Sequence, residues 1–130
     1  MRSITKGWAT VAAVAVLIPA ALATAAIAPA QPVARAARAC NLGSKVFSLG
    51  PTYVESPIVS GTSCATLAKV IKAYNRCRLN AGGVKGHCNS RVLGFRCRER
   101  RSTGSSIQFV AKVRCTKRHA GVRFSYTQDI

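Results

Sequence analysis

The sequence predicts an α+β fold in which one helix packs on a three-stranded antiparallel sheet, stabilised by disulfides. Three features carry this prediction: helical spacing of apolar residues after position 63, strict alternation in three later segments, and six cysteines in a short chain. The part before the helix is expected to be irregular or short-stranded. SKVFSL and TYVESPIVS have the composition of strands, but Gly50-Pro51 separates them and Pro57 favours an edge position for the second.

The helix is predicted to begin at Cys64, with Thr62 or Ser63 as its N-cap. Across CATLAKVIKAYNRC, apolar residues recur at intervals of three and four and form one stripe, made of Cys64, Leu67, Ala68, Ile71 and Tyr74. The cations Lys69, Lys72 and Arg76 gather on the other side. NAGG after Leu79 is expected to end the helix.

Three consecutive segments alternate apolar and polar residues, which is typical of strands buried on one face. The predicted core side consists of Leu93, Phe95 and Cys97, then Ile107, Phe109, Ala111, Val113 and Cys115, then Val122, Phe124 and Tyr126. STGSS and KRHAG are predicted to be the turns between them. The helix stripe then has a partner in the apolar side of this sheet.

The opposite side of the sheet is predicted to carry a row of cations: Arg96, Arg98, Arg100, Lys112, Arg114 and Arg123. Lys117 and Arg118 are expected at the turn beside them, and Glu99 is expected by parity to point to the other side or to lie at a frayed end. Strand and residue spacings of ~4.8 and ~6.6 Å let several cations meet one polymer. The alternatives are a solvated face whose charges deter aggregation, or a composition set by codon bias.

The N-terminus has the pattern of a secretory signal peptide, with cations at Arg2 and Lys6 and then an apolar run ending in small residues. We expect residues 1–30 to be the signal peptide, with cleavage after Ala30 or after Ala25. An uncleaved membrane anchor is the competing interpretation. Residues 31–39 are then a flexible mature N-terminus and 40–130 a single basic domain, which is secreted and either extracellular or associated with the cell wall.

An even number of cysteines in a short exported chain favours disulfides over a metal site. All six lie in the predicted mature part: Cys40, Cys64, Cys77, Cys88, Cys97 and Cys115. We expect Cys77 to pair with Cys88 across a glycine-rich loop. Cys64 is predicted to pair with Cys115 and Cys40 with Cys97, although six cysteines allow fifteen pairings. No cofactor and no metal are expected.

The composition indicates an anionic partner, because the chain has 20 Lys and Arg but only three acidic residues, and its net charge is +17. Loss of the signal peptide lowers this charge to +15. Arginine suits phosphate and carboxylate because its planar fork donates two hydrogen bonds at once. Phe95, Phe109, Phe124 and Tyr126 all fall on the core side, so we expect no sequence-specific nucleic-acid recognition. The prediction is a monomeric, non-enzymatic module that binds cell-envelope polymers, anionic lipid or extracellular nucleic acid.

Two other functions stay open. A small secreted hydrolase such as a ribonuclease would use His119 or His87, the only histidines, together with Glu55 or Glu99 as a carboxylate base. A protease-inhibitor-like protein would use an exposed loop held by a disulfide, and the segment between Cys77 and Cys88 fits that description. No residue in this segment marks a reactive site.

The segments SCATLAKVIKAYNRC, GFRCRER, AKVRCTK and VRFSY together resemble small secreted cysteine-containing proteins of actinobacteria. In these proteins an alanine-rich signal peptide precedes a helix opened by a cysteine, followed by strands with GFxC and VxC patterns. The resemblance covers roughly the last seventy residues. It implies export and the helix-then-strands fold, and it supplies no catalytic residue.

Overall fold

The computed structural model describes residues 35–130, so the predicted signal peptide lies outside the described residues. The described part confirms the α+β class, with one α-helix against one antiparallel sheet. The sheet has five strands where three were predicted. In chain order the elements are β1 Arg38–Ala39, a 3-10 helix Gly43–Phe47, β2 Tyr53–Ser60, α1 Cys64–Asn80, a 3-10 helix Gly83–Lys85, β3 Arg96–Thr103, β4 Gln108–Lys117 and β5 Ala120–Asp129.

The additional strands come from the segment before the helix. The sheet order is β1-β2-β5-β4-β3, so β2 is not the outermost strand as an edge position would require, although β1 covers it only at Ile58 and Val59. Pro57 is tolerated there because the register shifts between Glu55 and Ile58, and such a bulge takes a residue out of the hydrogen-bonding ladder. Arg38 and Ala39, within the segment predicted to be flexible, pair with β2. SKVFSL forms the first 3-10 helix rather than a strand.

Helix α1 begins where the sequence predicts. The Ser63 hydroxyl accepts a hydrogen bond from the Thr66 amide at 3.0 Å, which satisfies one of the unpaired donors at the helix start. Leu67, Ile71 and Tyr74 are buried, together with Val70. The Tyr74 ring meets the Phe124 ring edge-on at 6.0 Å and joins the helix to the sheet.

The predicted phase of the three later strands is confirmed for their paired residues. Eight of the predicted core residues are buried, and Cys97 is partly buried against them: the eight are Phe95, Phe109, Ala111, Val113, Cys115, Val122, Phe124 and Tyr126. Two predicted core residues are instead exposed: Leu93 at 54 % and Ile107 at 70 %. Leu93 lies in the tight turn between Val92 and Phe95, where its φ is +50°, and Ile107 precedes the first paired residue of β4.

The disulfides are Cys40–Cys64, Cys77–Cys88 and Cys97–Cys115. Cys77–Cys88 confirms the prediction, and the other two predicted pairings are wrong. Cys97 and Cys115 are direct partners in the β3–β4 register, so each is the nearest cysteine available to the other. Cys40 follows β1 and meets the start of α1. Two bridges therefore tie the two ends of the helix to neighbouring segments, and the third cross-links β3 to β4 within the sheet.

Candidate functional site

The outer face of the sheet brings three arginines from three strands into one lateral row. Arg98 on β3 is the register partner of Arg114 on β4, and Arg114 is the partner of Arg123 on β5. The neighbouring row contains Arg100 and Lys112, which are also partners. Neighbouring strands are ~4.8 Å apart, so the three-arginine row spans about 10 Å at the backbone.

These five cations line one open groove of about 590 Å³. Its other lining residues include Ser56, Ile58 and Ser125. All five cationic side chains are exposed. Arg96, the sixth predicted residue, is also exposed on this face, but it lines a separate cavity of about 420 Å³ with Arg91 and Arg98.

Like charges placed directly opposite on neighbouring strands destabilise a sheet. Among the described residues, the ion pairs of Lys, Arg or His with a carboxylate involve only Glu99, so no acid neutralises the groove cations within 4.0 Å. Glu55, at the β2 end of the Arg100–Lys112 row, is exposed and marks the limit of the basic surface. A face that only had to be soluble would carry mixed signs.

The turn residues next to the face take different positions. Arg118 and His119 form the two-residue turn between β4 and β5 and line a cavity of about 300 Å³ together with Arg114 and Arg123. This cavity continues the basic surface. The Lys117 ammonium instead donates to the Leu93 carbonyl at 3.2 Å and lies 5.7 Å from the Phe95 ring centroid.

Glu99 lies on the inner face, as parity predicted, and forms a buried polar cluster. Its side chain is 5 % exposed. The carboxylate accepts hydrogen bonds from the hydroxyls of Tyr74 and Tyr126, the latter at 2.7 Å, and from the Arg101 guanidinium. Arg101 also donates to the carbonyls of Lys85 and Gly86 and stacks 4.3 Å from the centre of the Phe109 ring. Glu99 thus joins the helix, the sheet and the loop after the helix.

The surroundings of Glu99 keep it ionised. Burial alone would raise the pKa of the carboxyl, but the hydrogen bonds from Tyr74, Tyr126 and Arg101, with the Arg101 charge, hold this pKa below its ordinary value. Burial, reinforced by the hydrogen bond to the Glu99 carboxylate, raises the pKa of both phenols. The tyrosines therefore stay protonated as donors.

His87 lies beside the Glu99 cluster. Its Nδ1 lies 3.4 Å from the Glu99 carboxylate, and its side chain is 60 % exposed. A cavity of about 570 Å³ is lined by His87, Glu99, Arg98 and Arg100 among others. The two arginines also line the basic groove, so the outer face and the histidine share a rim. His119 forms no ion pair with a carboxylate within the part of the chain described.

No protein-family model, curated protein or solved structure matches this chain significantly. The site is therefore interpreted from its own chemistry. In residues 35–130, no group of three or more His, Cys, Asp or Glu residues is placed to hold a metal ion. No described helix is both long and apolar enough to cross a membrane.

Arg78, on helix α1, is fully buried, and none of the carboxylates in the described part of the chain lies within ion-pair distance of it. It donates to the side-chain oxygens of Asn75 and Gln128 at 2.9 Å and to the Val84 carbonyl, also at 2.9 Å. Its guanidinium carbon lies 4.6 Å from the centre of the Tyr126 ring. Neutral oxygens and the ring face replace the water around this charge, so Arg78 is part of the core and not of the binding face.

Sequence reasoning missed three contributors to these sites. Arg101 continues the inward parity of Cys97 and Glu99, so its position two residues after Glu99 was an available signal. Phe47 and Tyr53 are aromatic residues exposed to solvent, and Tyr53 stands on the outer face. They were missed because the segment before the helix was expected to be irregular, so neither aromatic residue was assigned to a face of the sheet.

Proposed function

We propose that this protein is a secreted, monomeric module that binds polyanions through the outer face of its sheet. The main support is the lateral row of Arg98, Arg114 and Arg123, three like charges on three adjacent strands with no acidic partner among residues 35–130. A polymer with repeated negative charge relieves their repulsion and gains several charge-assisted hydrogen bonds at once. Three disulfides in a domain of this size support export, since such bridges persist in oxidising compartments.

The groove is open and lined by five cations, which supports recognition of repeated charge rather than of one small molecule. Its cations come from the exposed side of three hydrogen-bonded strands, so their spacing is fixed by the sheet. Cell-envelope polymers, anionic lipid and extracellular nucleic acid all present phosphate or carboxylate groups that arginine can contact in pairs. Binding is therefore expected to depend steeply on salt.

Replacing Arg98, Arg114 and Arg123 with Gln should shift elution from heparin or phosphate resin to clearly lower salt. The charge-matched control replaces Lys69, Lys72 and Arg76, exposed residues of helix α1, with Gln. If each arginine contacts one phosphate of a single strand, loss of three contacts reduces the slope of log K against log salt by roughly 2. Equal shifts for both triple variants would show bulk attraction without a site and would contradict the proposal.

A second candidate function is cleavage of RNA, favoured by the 3.4 Å approach of His87 Nδ1 to Glu99. A carboxylate that holds one ring nitrogen leaves Nε2 free to take a proton from a ribose 2′-hydroxyl. Arg98 and Arg100 line the same cavity and could contact the phosphodiester. Tyr74 and Glu99 also line this cavity, but the Tyr74 hydroxyl donates to the Glu99 carboxylate, so neither is free to protonate the leaving oxygen.

Incubation of the purified protein with single-stranded RNA separates the two functions. A protein that only binds polyanions is expected to leave RNA intact in the absence of metal. A His87→Ala, His119→Ala double variant purified in the same way controls for contaminating nuclease. Cleavage that is lost in His87→Ala and retained in His119→Ala would establish the second candidate. Cleavage lost only in His119→Ala would locate activity at the β4–β5 turn instead.

A further inference from the structure

An exposed aromatic pair lies on the same side of the sheet as the basic groove. Tyr53 opens β2, and because the next residue, Val54, is buried on the inner face, the Tyr53 side chain is on the outer face. Phe47 packs against it with ring centroids 5.2 Å apart. Phe47 is 68 % exposed and Tyr53 is 37 % exposed, so both rings present aromatic surface to solvent.

This pair corrects the expectation that no aromatic residue accompanies the cations. The four aromatic residues assigned to the core, Phe95, Phe109, Phe124 and Tyr126, are buried as predicted. Phe47 and Tyr53 take no part in that core. The tilt between their ring planes is 46°, so they form a small uneven platform rather than a flat stack.

The strand register gives the separation of the platform from the cations. Tyr53 is paired with Thr127, two residues along β5 from Ser125, which is the partner of Lys112. One step of ~6.6 Å along the strands and two steps of ~4.8 Å across them separate Tyr53 from Lys112 by about 12 Å at the backbone. Three to four nucleotides of a stacked strand, at ~3.4 Å each, cover this distance.

We propose that the face binds single-stranded nucleic acid, with phosphates on the groove cations and bases stacked on Phe47 and Tyr53. This inference rests on the proposed polyanion binding and specifies its ligand. Stacking on aromatic side chains tolerates any base, since every base has a π-face. The ligand is therefore recognised by charge and by unpaired bases, without a preferred sequence.

Other polyanions use only part of this surface. A phosphate or sulfate polymer without bases gains nothing from the rings. Duplex nucleic acid keeps its bases inside the helix, where Phe47 and Tyr53 cannot reach their faces. An anionic membrane would have to bury the rings, yet Tyr53 is itself nearly two-thirds covered and the pair lies at one corner of the face.

The test compares two ligands of equal charge and length: a single-stranded deoxyuridine 12-mer and an abasic 12-mer with the same phosphate backbone. Fluorescence anisotropy of end-labelled ligands measures both affinities at one salt concentration. The deoxyuridine 12-mer should bind the protein about tenfold more tightly for each base stacked. Phe47→Ala and Tyr53→Leu should each remove most of this difference and leave the affinity for the abasic 12-mer unchanged.

Two variants serve as matched controls. Tyr53→Phe keeps an aromatic ring and should keep the preference for bases. Ile107→Ala removes another exposed apolar side chain, away from β2, and should have no effect. Far-UV circular dichroism of each variant verifies that the fold is retained.

The outcomes separate this inference from the function on which it rests. Equal affinity for the two 12-mers would overturn base stacking and leave polyanion binding intact. Failure to bind either 12-mer or heparin would remove the proposed function itself. Binding to phosphatidylglycerol vesicles that is lost in Phe47→Ala, with no preference between the 12-mers, would make the aromatic pair a membrane contact and refute the nucleic-acid assignment.

Discussion

Replacing Glu99 with alanine is expected to lower the free energy of unfolding by about 3–5 kcal/mol, the cost typical of breaking a buried charge pair. The substitution leaves the hydroxyls of Tyr74 and Tyr126 and the Nε of Arg101 without the acceptor they share, a carboxylate that is only 5 % exposed. It also removes one of only three acidic side chains from a chain with 20 Lys and Arg. Urea unfolding followed by circular dichroism measures the change.

Glu55→Ala is the matched control, because it removes the same acidic group from the same sheet and changes net charge equally. Glu55 is exposed and forms no ion pair within the described residues, so its loss should alter stability by less than about 0.5 kcal/mol. If Glu99→Ala does not fold well enough to measure, Tyr74→Phe and Tyr126→Phe each remove one donor and should cost about 1.5–3 kcal/mol. Similar small effects for all these variants would contradict the role of Glu99 as the centre of the cluster.

The same cluster predicts how stability depends on pH. Because the native-state pKa of Glu99 lies below its ordinary value of 4.5, the unfolded chain takes up this proton first as pH falls. The contribution of Glu99 is therefore fully present above about pH 4.5 and is lost as pH decreases through the lower native pKa. With only two other acidic side chains in the sequence, both exposed, Glu99 should dominate the acid slope, and Glu99→Gln should flatten it.

The outer face was predictable because alternation fixes a strand's phase without knowledge of its partners. Arg98, Arg114 and Arg123 were assigned to one side by parity alone, and burial of Val113 and Phe124 beside them fixes the same phase in the structure. Their lateral alignment was not predictable. Alignment depends on register, which the turn lengths and the Cys97–Cys115 bridge set together.

The inner site could be predicted only in part. Parity placed Glu99 on the core side, but nothing in the local pattern indicates that Tyr74, 25 residues earlier on a helix, would donate to it. Arg78 was missed although it continues the apolar stripe of the helix, four residues after Tyr74, because arginine is seldom buried and its burial depends on acceptors supplied by distant segments such as Gln128. Contacts between distant segments carry no periodic signal.

The disulfide pairing failed for a related reason. Cys64 was assigned to the apolar side of the helix and Cys115 to the apolar side of the sheet, so a bridge between the two layers was consistent with where both side chains point. This argument ignores how far apart the two cysteines lie along those surfaces. Once β3 and β4 pair in register, Cys97 occupies the position opposite Cys115 and leaves Cys64 for Cys40. The N-terminal segment is thereby tied to the start of the helix, and β1 can pair with β2.

Reduction of all three disulfides is expected to unfold the domain at neutral pH and low salt. The bridges close loops of 24, 11 and 18 residues, and each should contribute about 3 kcal/mol by restricting the unfolded chain. Their combined contribution approaches the whole stability of a small domain, about 5–15 kcal/mol. The self-repulsion of the basic surface further opposes the reduced native state.

Circular dichroism in buffer with and without a phosphine reductant tests this expectation. Variants that each lack one disulfide show which bridge contributes to stability and which to binding. Replacing Cys97 and Cys115 together by alanine leaves the edge strand β3 held only by its pairing with β4 and should also lower affinity for heparin, because Arg98 and Arg100 are then fixed less firmly beside Arg114. Replacing Cys40 and Cys64 together should cost similar stability while leaving the groove and its affinity unchanged, since neither cysteine contributes to β3, β4 or β5. The expectation fails if the reduced protein unfolds as cooperatively as the oxidised one and at the same urea concentration. The core alone would then sustain the fold, and the disulfides would not be needed to offset the repulsion among the cations.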